Sequence, residues 1–474
     1  MSRALRGPLA AAILAVTCPG VAPGQSPAPA TPALATDPYL VQSGTWGQQY
    51  RDQWGLERIG WSPELARRAR NPVVVAVIDT GLDYYHPQPP ADRVFHNAKD
   101  PLDGHDNDGN GYVDDVIGWN FVDGNGNPWD HAGHGTHVAG VIAAGTGNGI
   151  GIAGMQPAVQ ILPLKVLNFI GQGRASRVAQ AIYYAVEKGA RVINLSLGGE
   201  AASGAATRAV EYAAGKGVVV VVAAGNDGKE IARRGLAGLP NVITVGATGP
   251  DDARASFSNR GKAIDLVAPG VDVLSLRARR TDVALVAGVA DYKPGAHFVG
   301  EKAHYYRVSG TSFAAPFVAG TAALILSQDQ KLDAQSVKRM IVHSARDIGL
   351  PGVDPDTGYG LLDVKAALEA SPRFFVEAEI AGIAARQADG VTVVRVSGTA
   401  DSDRFARAWI EIGAGEDPSE WKRVSREIAA VVRGGVLDDL KAELFRGAPV
   451  WKLRLIVEHA NGKRRAARHI LRLG

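Results

Sequence analysis

Residues 73–81 read Val-Val-Val-Ala-Val-Ile-Asp-Thr-Gly, a continuous apolar run that ends in an aspartate, a threonine and a glycine. Such a run is typical of a strand that is buried on both faces of a sheet. An aspartate at a buried strand end is costly unless it has a hydrogen-bonded partner. Residues 73–81 therefore predict a buried strand that ends in a partnered carboxylate, Asp79.

Similar apolar runs recur as far as about residue 370, and stretches with helical character separate them. The runs are residues 161–167, 192–195, 218–222 and 242–245. Strands that alternate with helices indicate an α/β fold with a doubly wound, mostly parallel sheet and helices on both faces. In such folds the functional site lies beyond the carboxyl ends of the strands.

From about residue 371 the pattern changes. Trp451, Leu453, Leu455 and Val457 are separated by single residues, most of them charged. An alternation with period two indicates half-buried strands of an antiparallel sandwich. The predicted organisation has four parts: a signal peptide with the start of a Pro/Ala-rich linker (1–35), an N-terminal lead-in (36–52), an α/β domain (53–370) and a C-terminal all-β sandwich (371–474).

Composition excludes several classes of protein. The net charge of the 474 residues is only +3, which argues against a nucleic-acid partner held by a broad basic surface. The single cysteine, Cys18, excludes an intrachain disulfide and a zinc site made of cysteines. Beyond the N-terminus no apolar run approaches the roughly 20 residues of a membrane span, so we expect no transmembrane anchor in the mature chain.

The N-terminus has the pattern of a secretory leader. Arg3 and Arg6 precede an apolar stretch at residues 9–16, and small and proline residues follow. This arrangement predicts a signal peptide, with residues 33–35 as one candidate cleavage site. We therefore expect a protein that is secreted or resides in the periplasm or cell envelope.

Two further motifs carry side chains suited to nucleophilic catalysis. Residues 133–140 read Gly-His-Gly-Thr-His-Val-Ala-Gly, and residues 309–316 read Ser-Gly-Thr-Ser-Phe-Ala-Ala-Pro before an apolar helix. A histidine accepts the proton of a serine hydroxyl, and an aspartate fixes the histidine tautomer. Asp79, His134 and Ser312 are thus candidates for a triad, and Asn226, which follows an apolar run, is a candidate oxyanion donor.

These motifs together resemble those of the subtilisin family of serine peptidases. Residues 223–226 are similar to the family's oxyanion segment, and residues 194–199 are similar to its substrate-binding strand. The resemblance covers roughly residues 53–370. It implies a serine endopeptidase that hydrolyses polypeptides through an acyl-enzyme intermediate, and we expect a monomer without an organic cofactor.

The resemblance also implies a role for each matching residue. Asp79 would orient His134, His134 would act as general acid and base on Ser312, and Asn226 would stabilise the oxyanion. The substrate backbone would pair with Ser196, Leu197 and Gly198. The wall of the S1 pocket would include Ala223, Ala224 and Gly225, and its floor would lie within residues 233–240.

Calcium is the expected metal, and three loops are candidates. The first resembles half of an EF-hand loop but has Ile117 at the twelfth position, where that loop needs glutamate. The candidate ligands are Asp106, Asp108, Asn110 and Asp115 in the first loop, Asp123 and Asn125 in the second, and Asn148 in the third. The third loop resembles the family's main calcium loop, although Gln88 stands where the family has an aspartate partner. The alternative is that these loops are solvated turns.

Other interpretations remain open at this point. His131, His134 and His137 are spaced by three, but no glutamate lies between them as in a zinc-protease helix. The region between Pro269 and Ser309 is longer than in minimal members of the resembled family, and such a region could restrict access, as in a processing protease with few substrates. A catalytically silent binding module with the same fold, and an esterase or transacylase with the same triad, are further alternatives.

Overall fold

The computed structural model describes residues 36–88, 91–198, 203–350, 352–388 and 390–473. Its helices are α1 (Pro38–Val41), α2 (Trp54–Arg58), α3 (Pro63–Ala66), α4 (His134–Ala143), α5 (Ala175–Glu187), α6 (Gly204–Gly215), α7 (Val283–Val286), α8 (Thr311–Gln328), α9 (Ala334–Ser344) and α10 (Val364–Glu369). Two short 3-10 helices are Ala91–Arg93 and Ala442–Phe445.

The strands fall into a first group, β1 to β10, and a second group, β11 to β17. The first group is β1 (Val73–Asp79), β2 (Trp119–Asn120), β3 (Val159–Lys165), β4 (Val192–Leu195), β5 (Val219–Ala223), β6 (Val242–Thr248), β7 (Leu266–Pro269), β8 (Val273–Leu276), β9 (Phe298–Val299) and β10 (Tyr305–Val308). The second is β11 (Val376–Ala388), β12 (Val391–Ser402), β13 (Phe405–Ala414), β14 (Lys422–Arg423), β15 (Val432–Lys441), β16 (Val450–His459) and β17 (Arg464–Arg472).

A seven-stranded parallel sheet organises the first part of the chain. Its strand order is β2-β3-β1-β4-β5-β6-β7, and every neighbouring pair is parallel. The five predicted apolar runs all lie in this sheet, in β1, β3, β4, β5 and β6. The predicted doubly wound α/β fold is confirmed, and strand β1 ends at Asp79 as its sequence indicated.

Helix α8 lies inside the core and carries the predicted nucleophile in its first turn. It is apolar on all sides, as expected of a helix that is buried all round. Of the described residues, this is the one helix long and apolar enough to span a membrane, and 89% of it is buried inside the protein. Burial of α8 fixes the position of Ser312, its second residue.

Strands β11 to β17 form two antiparallel sheets. One has the order β11-β12-β15 and the other β14-β13-β16-β17. Apolar side chains from both sheets form a separate core, which includes Val396, Ile410 and Leu455. The predicted antiparallel all-β architecture is confirmed, and the alternation of buried and partly exposed residues in β16 follows the sequence pattern.

The larger core extends to Ala367, and the smaller one begins at Phe374. The predicted domain boundaries stay predictions, and the leader of residues 1–35 lies outside the described residues.

The C-terminal sheets contact the end of helix α9 through two cations. Lys463 Nζ donates to the carbonyl oxygens of Ser344 at 3.2 Å and Ala345 at 2.9 Å. Arg465, only 1% exposed, donates to the carbonyl oxygens of Tyr359 at 2.7 Å and His343 at 3.2 Å. Cations are favourable where a helix ends in unpaired carbonyl groups. The charged groups of Lys463 and Arg465 therefore both take part in an internal contact.

Candidate active site

The structure brings Asp79 and His134 together although they lie on different elements. Asp79 ends β1 and is fully buried, whereas His134 begins α4 and is partly exposed. The His134 Nδ1 lies 2.7 Å from Asp79 Oδ1, which also accepts a 2.7 Å hydrogen bond from the Thr80 backbone N–H. A carboxylate held in this way fixes which imidazole nitrogen carries the proton.

Close packing of α4 against the turn after β1 makes this contact possible. A Cβ at Gly135 would lie 2.3 Å from the carbonyl oxygen of Gly81, so only glycine permits the approach. The Gly135 N–H donates to Thr80 Oγ1 at 2.8 Å. Asp130, which sequence reasoning missed, accepts from the N–H groups of Gly133 at 2.7 Å and Thr136 at 2.9 Å and so caps α4.

The electrostatic surroundings of the two α4 histidines differ. Burial lowers the pKa of His134, but the charge of Asp79 and the hydrogen bond to it outweigh burial and raise that pKa above its ordinary value. Burial lowers the pKa of His137 to about 3. The His137 Nε2 lies 3.0 Å from the Tyr306 carbonyl oxygen, so this histidine is held neutral in the core.

No zinc centre accompanies the three spaced histidines in the described part of the chain. His131 is exposed, and no group of three or more His, Cys, Asp or Glu side chains there is arranged to hold a metal.

Ser312 is held at the start of α8 by a reciprocal pair of hydrogen bonds with Ser196. The Ser312 hydroxyl donates to the Ser196 carbonyl oxygen at 3.1 Å, and the Ser196 hydroxyl donates to the Ser312 carbonyl oxygen at 2.6 Å. Pro316 lies four residues after Ser312 inside the helix and has no N–H for that carbonyl group. The Ser196 hydroxyl therefore satisfies a carbonyl group that the helix leaves unpaired.

Asn226 is oriented by Thr311, the residue before Ser312. Its Oδ1 accepts hydrogen bonds from the Thr311 backbone N–H at 2.8 Å and from Thr311 Oγ1 at 2.9 Å. A backbone N–H can only donate, so the side-chain atom that meets it must be the amide oxygen. The amide nitrogen of Asn226 is consequently the atom available to a ligand.

One cavity of about 830 Å³ collects the predicted site residues. Asp79 lies behind His134 and does not line it. The predicted residues that line it are His134, Ser196, Leu197, Gly198, Ala223, Ala224, Gly225, Asn226 and Ser312. Arg234, Gly235 and Leu236, from the segment predicted to form the S1 floor, line it as well. Arg234 forms an ion pair with Asp227 at this end of the cavity.

Two carboxylates of the first candidate calcium loop already bind the ammonium group of Lys188. Lys188 Nζ lies 2.7 Å from Asp108 Oδ2 and 2.8 Å from Asp115 Oδ2, and its side chain is 7% exposed. Asn110 donates to Asp115 at 2.8 Å, and both Asp106 oxygens accept backbone N–H groups of the same loop. Because an ammonium group lies between the carboxylates, these residues do not fit a calcium ion as they stand.

The other two calcium candidates are also occupied by hydrogen bonds. The Gln88 amide nitrogen donates to the Ile150 carbonyl oxygen at 2.8 Å, and the Asn148 Oδ1 accepts from the Ile150 N–H at 2.9 Å. Asp123 accepts from Asn120 at 2.9 Å, and Asn125 Oδ1 accepts from the Asn127 N–H at 3.0 Å. Calcium binding stays a prediction that this arrangement does not favour.

Comparison with known proteins defines the class that this fold and site belong to. The model of the subtilase family matches residues 70–360. The match covers more than half of the chain, and the protein therefore belongs to the subtilase family.

Individual relatives agree with this assignment. The chain is 42% identical over 282 residues to the thermophilic serine proteinase of Bacillus sp. (strain AK1), covering 60% of this chain and 58% of that protein. It is 37% identical over 278 residues to thermitase of Thermoactinomyces vulgaris, covering 59% of this chain and 82% of thermitase. It is 35% identical to the cell wall-associated protease of Bacillus subtilis (strain 168), covering 68% of this chain but only 35% of that larger protein.

Among solved structures, the crystal structure of a lanthipeptide protease matches with a TM-score of 0.53 and 28% identity. That match covers 67% of this chain and 94% of the other.

Proposed function

We propose that this protein is a secreted serine endopeptidase that hydrolyses polypeptides through an Asp79–His134–Ser312 triad. The observation that carries the proposal is the 2.7 Å contact between Asp79 and His134, because His134 lines the same cavity as Ser312 and Asn226. The relatives named as serine proteinases support the reaction class. Secretion is supported by the leader pattern of residues 1–35 and by the relative named as cell wall-associated.

The chemistry follows from the hydrogen bonds of the site. For attack, the Ser312 hydroxyl turns from the Ser196 carbonyl oxygen to His134, which takes the proton as general base. The serine oxygen then bonds to the substrate carbonyl carbon, and the carbonyl oxygen becomes an oxyanion. The Asn226 amide nitrogen and the Ser312 backbone N–H donate to that oxyanion.

Collapse of this intermediate breaks the peptide bond and leaves an acyl-enzyme. The proton held by His134 passes to the leaving amine, while the charge of Asp79 stabilises the imidazolium. A water molecule, deprotonated by His134, then hydrolyses the ester to regenerate Ser312. Pairing of a substrate N–H with the Ser196 carbonyl oxygen would compete with the resting hydrogen bond of Ser312 and favour the first step.

Covalent labelling with a fluorophosphonate probe tests the proposal. An activated serine is required for labelling, so the wild-type protein should label and Ser312→Ala should not. Ser309→Ala is the matched control, because the Ser309 hydroxyl accepts from the Asp272 N–H at 2.9 Å and does not line the cavity. A folded wild-type protein that fails to label would favour a silent binding module instead.

Turnover of matched amide and ester substrates separates a peptidase from an esterase or transacylase with the same triad. Digestion of a panel of unfolded proteins separates a broad peptidase from a processing enzyme with few substrates.

A further inference from the structure

A short apolar helix of the region between β8 and β10 forms part of the catalytic cavity. This helix is α7, and Val283 and Val286 on it line the same cavity as His134 and Ser312. The resemblance to the family indicated that the region between Pro269 and Ser309 is longer than in its minimal members. Part of this region lies beside the site.

Hydrogen bonds hold helix α7 at its N-terminal cap and at the backbone of its second residue. The Asp282 carboxylate caps it and accepts hydrogen bonds from the Tyr306 hydroxyl at 2.7 Å and the Gly295 N–H at 2.9 Å. The Ala284 N–H donates to the same Tyr306 hydroxyl at 3.0 Å, and Ala284 is 2% exposed. Helix α7 is therefore a fixed part of the cavity wall.

The same segment packs directly against the residue that precedes His134. Gly133 has φ +95°, and a Cβ on it would lie 2.5 Å from Thr281 Oγ1 and 3.2 Å from Val283 Cγ2. Just before Thr281 in the chain, Arg279 Nε lies 3.0 Å from Asp83 Oδ2 and ties the segment to the loop after β1. Helix α7 is therefore held next to the space beside His134 where a substrate would bind.

Two of the apolar side chains that line the cavity are exposed, and Val283 is half-buried. Val286 is 38% exposed, and Ile170, which lines the cavity from the loop after β3, is 45% exposed. Leu167, which is half-buried, and Val178, which is only 6% exposed, also line the cavity. Exposed apolar surface continuous with a cleft indicates a surface that a ligand covers.

We propose that Val283 and Val286 of α7 select polypeptide substrates that carry an aliphatic or aromatic side chain next to the scissile bond. This inference rests on the proposed function and specifies its substrate class. Covering Val286 with an apolar side chain removes both from water, whereas a polar side chain there loses its hydration without gaining a hydrogen bond. The wall thereby narrows the set of cleavable peptides.

A positional peptide library provides the test. The wild type should prefer leucine over asparagine at one position next to the scissile bond. Val286→Thr keeps the volume but adds a hydroxyl, and we expect the ratio of the two kcat/KM values at that position to fall about tenfold, the lower end of what one apolar contact contributes to discrimination. In a double variant, Val283→Thr with Val286→Thr, the ratio of the two kcat/KM values should fall further.

Leu285→Thr is the matched control. Leu285 is on the same helix and more exposed than Val286, but it does not line the cavity, so its variant should keep the wild-type ratio. An unchanged ratio in the double variant, with an unchanged melting temperature, would overturn the inference. Fluorophosphonate labelling of the wild type separates this outcome from failure of the proposed function, because that failure would abolish labelling.

Discussion

Ser196 and Ser312 hold each other by two hydrogen bonds that run in opposite directions between a hydroxyl and a carbonyl group. Ser196 follows β4 and Ser312 is the second residue of α8. Pro316 has no N–H for the Ser312 carbonyl group, which the Ser196 hydroxyl therefore binds. The segment expected to bind substrate therefore also fixes the position of Ser312. This pairing gives Ser196 a positioning role that its expected contact with the substrate backbone would not require.

Ser196→Ala should slow acylation and reduce stability. It removes the 2.6 Å bond to Ser312 and leaves the Asn194 amide, which donates to Ser196 at 2.9 Å, without this acceptor. An unsatisfied buried group costs about 1–3 kcal/mol, so we expect a fall of that size in the free energy of unfolding. The measurements are chemical denaturation and the rate of fluorophosphonate labelling.

Ser327→Ala is the matched control for Ser196→Ala. Its hydroxyl donates to the Leu324 carbonyl oxygen at 2.8 Å, near the other end of α8. It should change stability but not the labelling rate. Equal labelling rates in wild type and Ser196→Ala would contradict the positioning role.

The pH dependence should report the raised pKa of His134. The general base must be neutral, so kcat/KM should rise with pH through a pKa above about 6.5, the ordinary value for histidine. In Asp79→Asn the charge that raises this pKa is lost while burial remains. The rise of kcat/KM with pH should therefore occur at lower pH than in the wild type. The rate should also fall by about 10⁴-fold because the tautomer is no longer fixed.

Asp83→Asn is the control for this experiment. Asp83 is also fully buried near the end of β1, but its carboxylate pairs with Arg279. In Asp83→Asn, kcat/KM should therefore rise over the same pH range as in the wild type. If kcat/KM rose over the same pH range in Asp79→Asn as in the wild type, His134 would be excluded as the group that titrates.

Lys188→Met should destabilise the acidic loop and make it responsive to calcium. Removing one partner of a buried ion pair leaves uncompensated charge and typically costs about 3–5 kcal/mol, so the free energy of unfolding should fall by about that amount. Calcium should restore part of the loss in the variant, because the Lys188 ammonium group no longer neutralises Asp108 and Asp115. Thermal unfolding with and without calcium measures both effects.

In the wild type, a chelator should leave the melting temperature unchanged. Lys216→Met, at an exposed lysine, should behave as the wild type. A large fall of the wild-type melting temperature on chelation would show that calcium binds despite Lys188.

Arg465→Ala should weaken the contact between the C-terminal sheets and helix α9. It leaves the carbonyl groups of Tyr359 and His343 without their donor and opens a space in a buried contact. We expect the free energy of unfolding to fall by about 2–4 kcal/mol. Arg446→Ala, at a side chain that is 80% exposed, should change it by less than about 0.5 kcal/mol. Identical denaturation curves for the two variants would contradict the role of Arg465.

Local pattern was sufficient to predict most of the parallel sheet and the residues that line the candidate site. Continuous apolar runs predicted β1, β3, β4, β5 and β6, because burial on both faces leaves a signature in the sequence itself. Strand β7 was not predicted, since its four residues, Leu266–Pro269, are short and end in a proline. Its place in the sheet is defined by its pairing with β6.

Contacts between distant residues account for what the sequence did not reveal. The loop around Asp108 has the pattern of a cation site, and its partner Lys188 is 80 residues away in the chain. No local pattern could reveal that the fold places an ammonium group there. The reciprocal bond of Ser196 and Ser312 joins residues 116 apart for the same reason.

Phe313 follows Ser312, and its ring packs against His134 and His137 with ring centroids 5.1 Å and 4.5 Å away. A benzene ring fills this place without a sulfur atom that peroxide could convert to a sulfoxide. The described residues contain two sulfur atoms, in Met155 and Met340, and both side chains are buried. The proposed catalytic centre should therefore keep its activity in an oxidising medium.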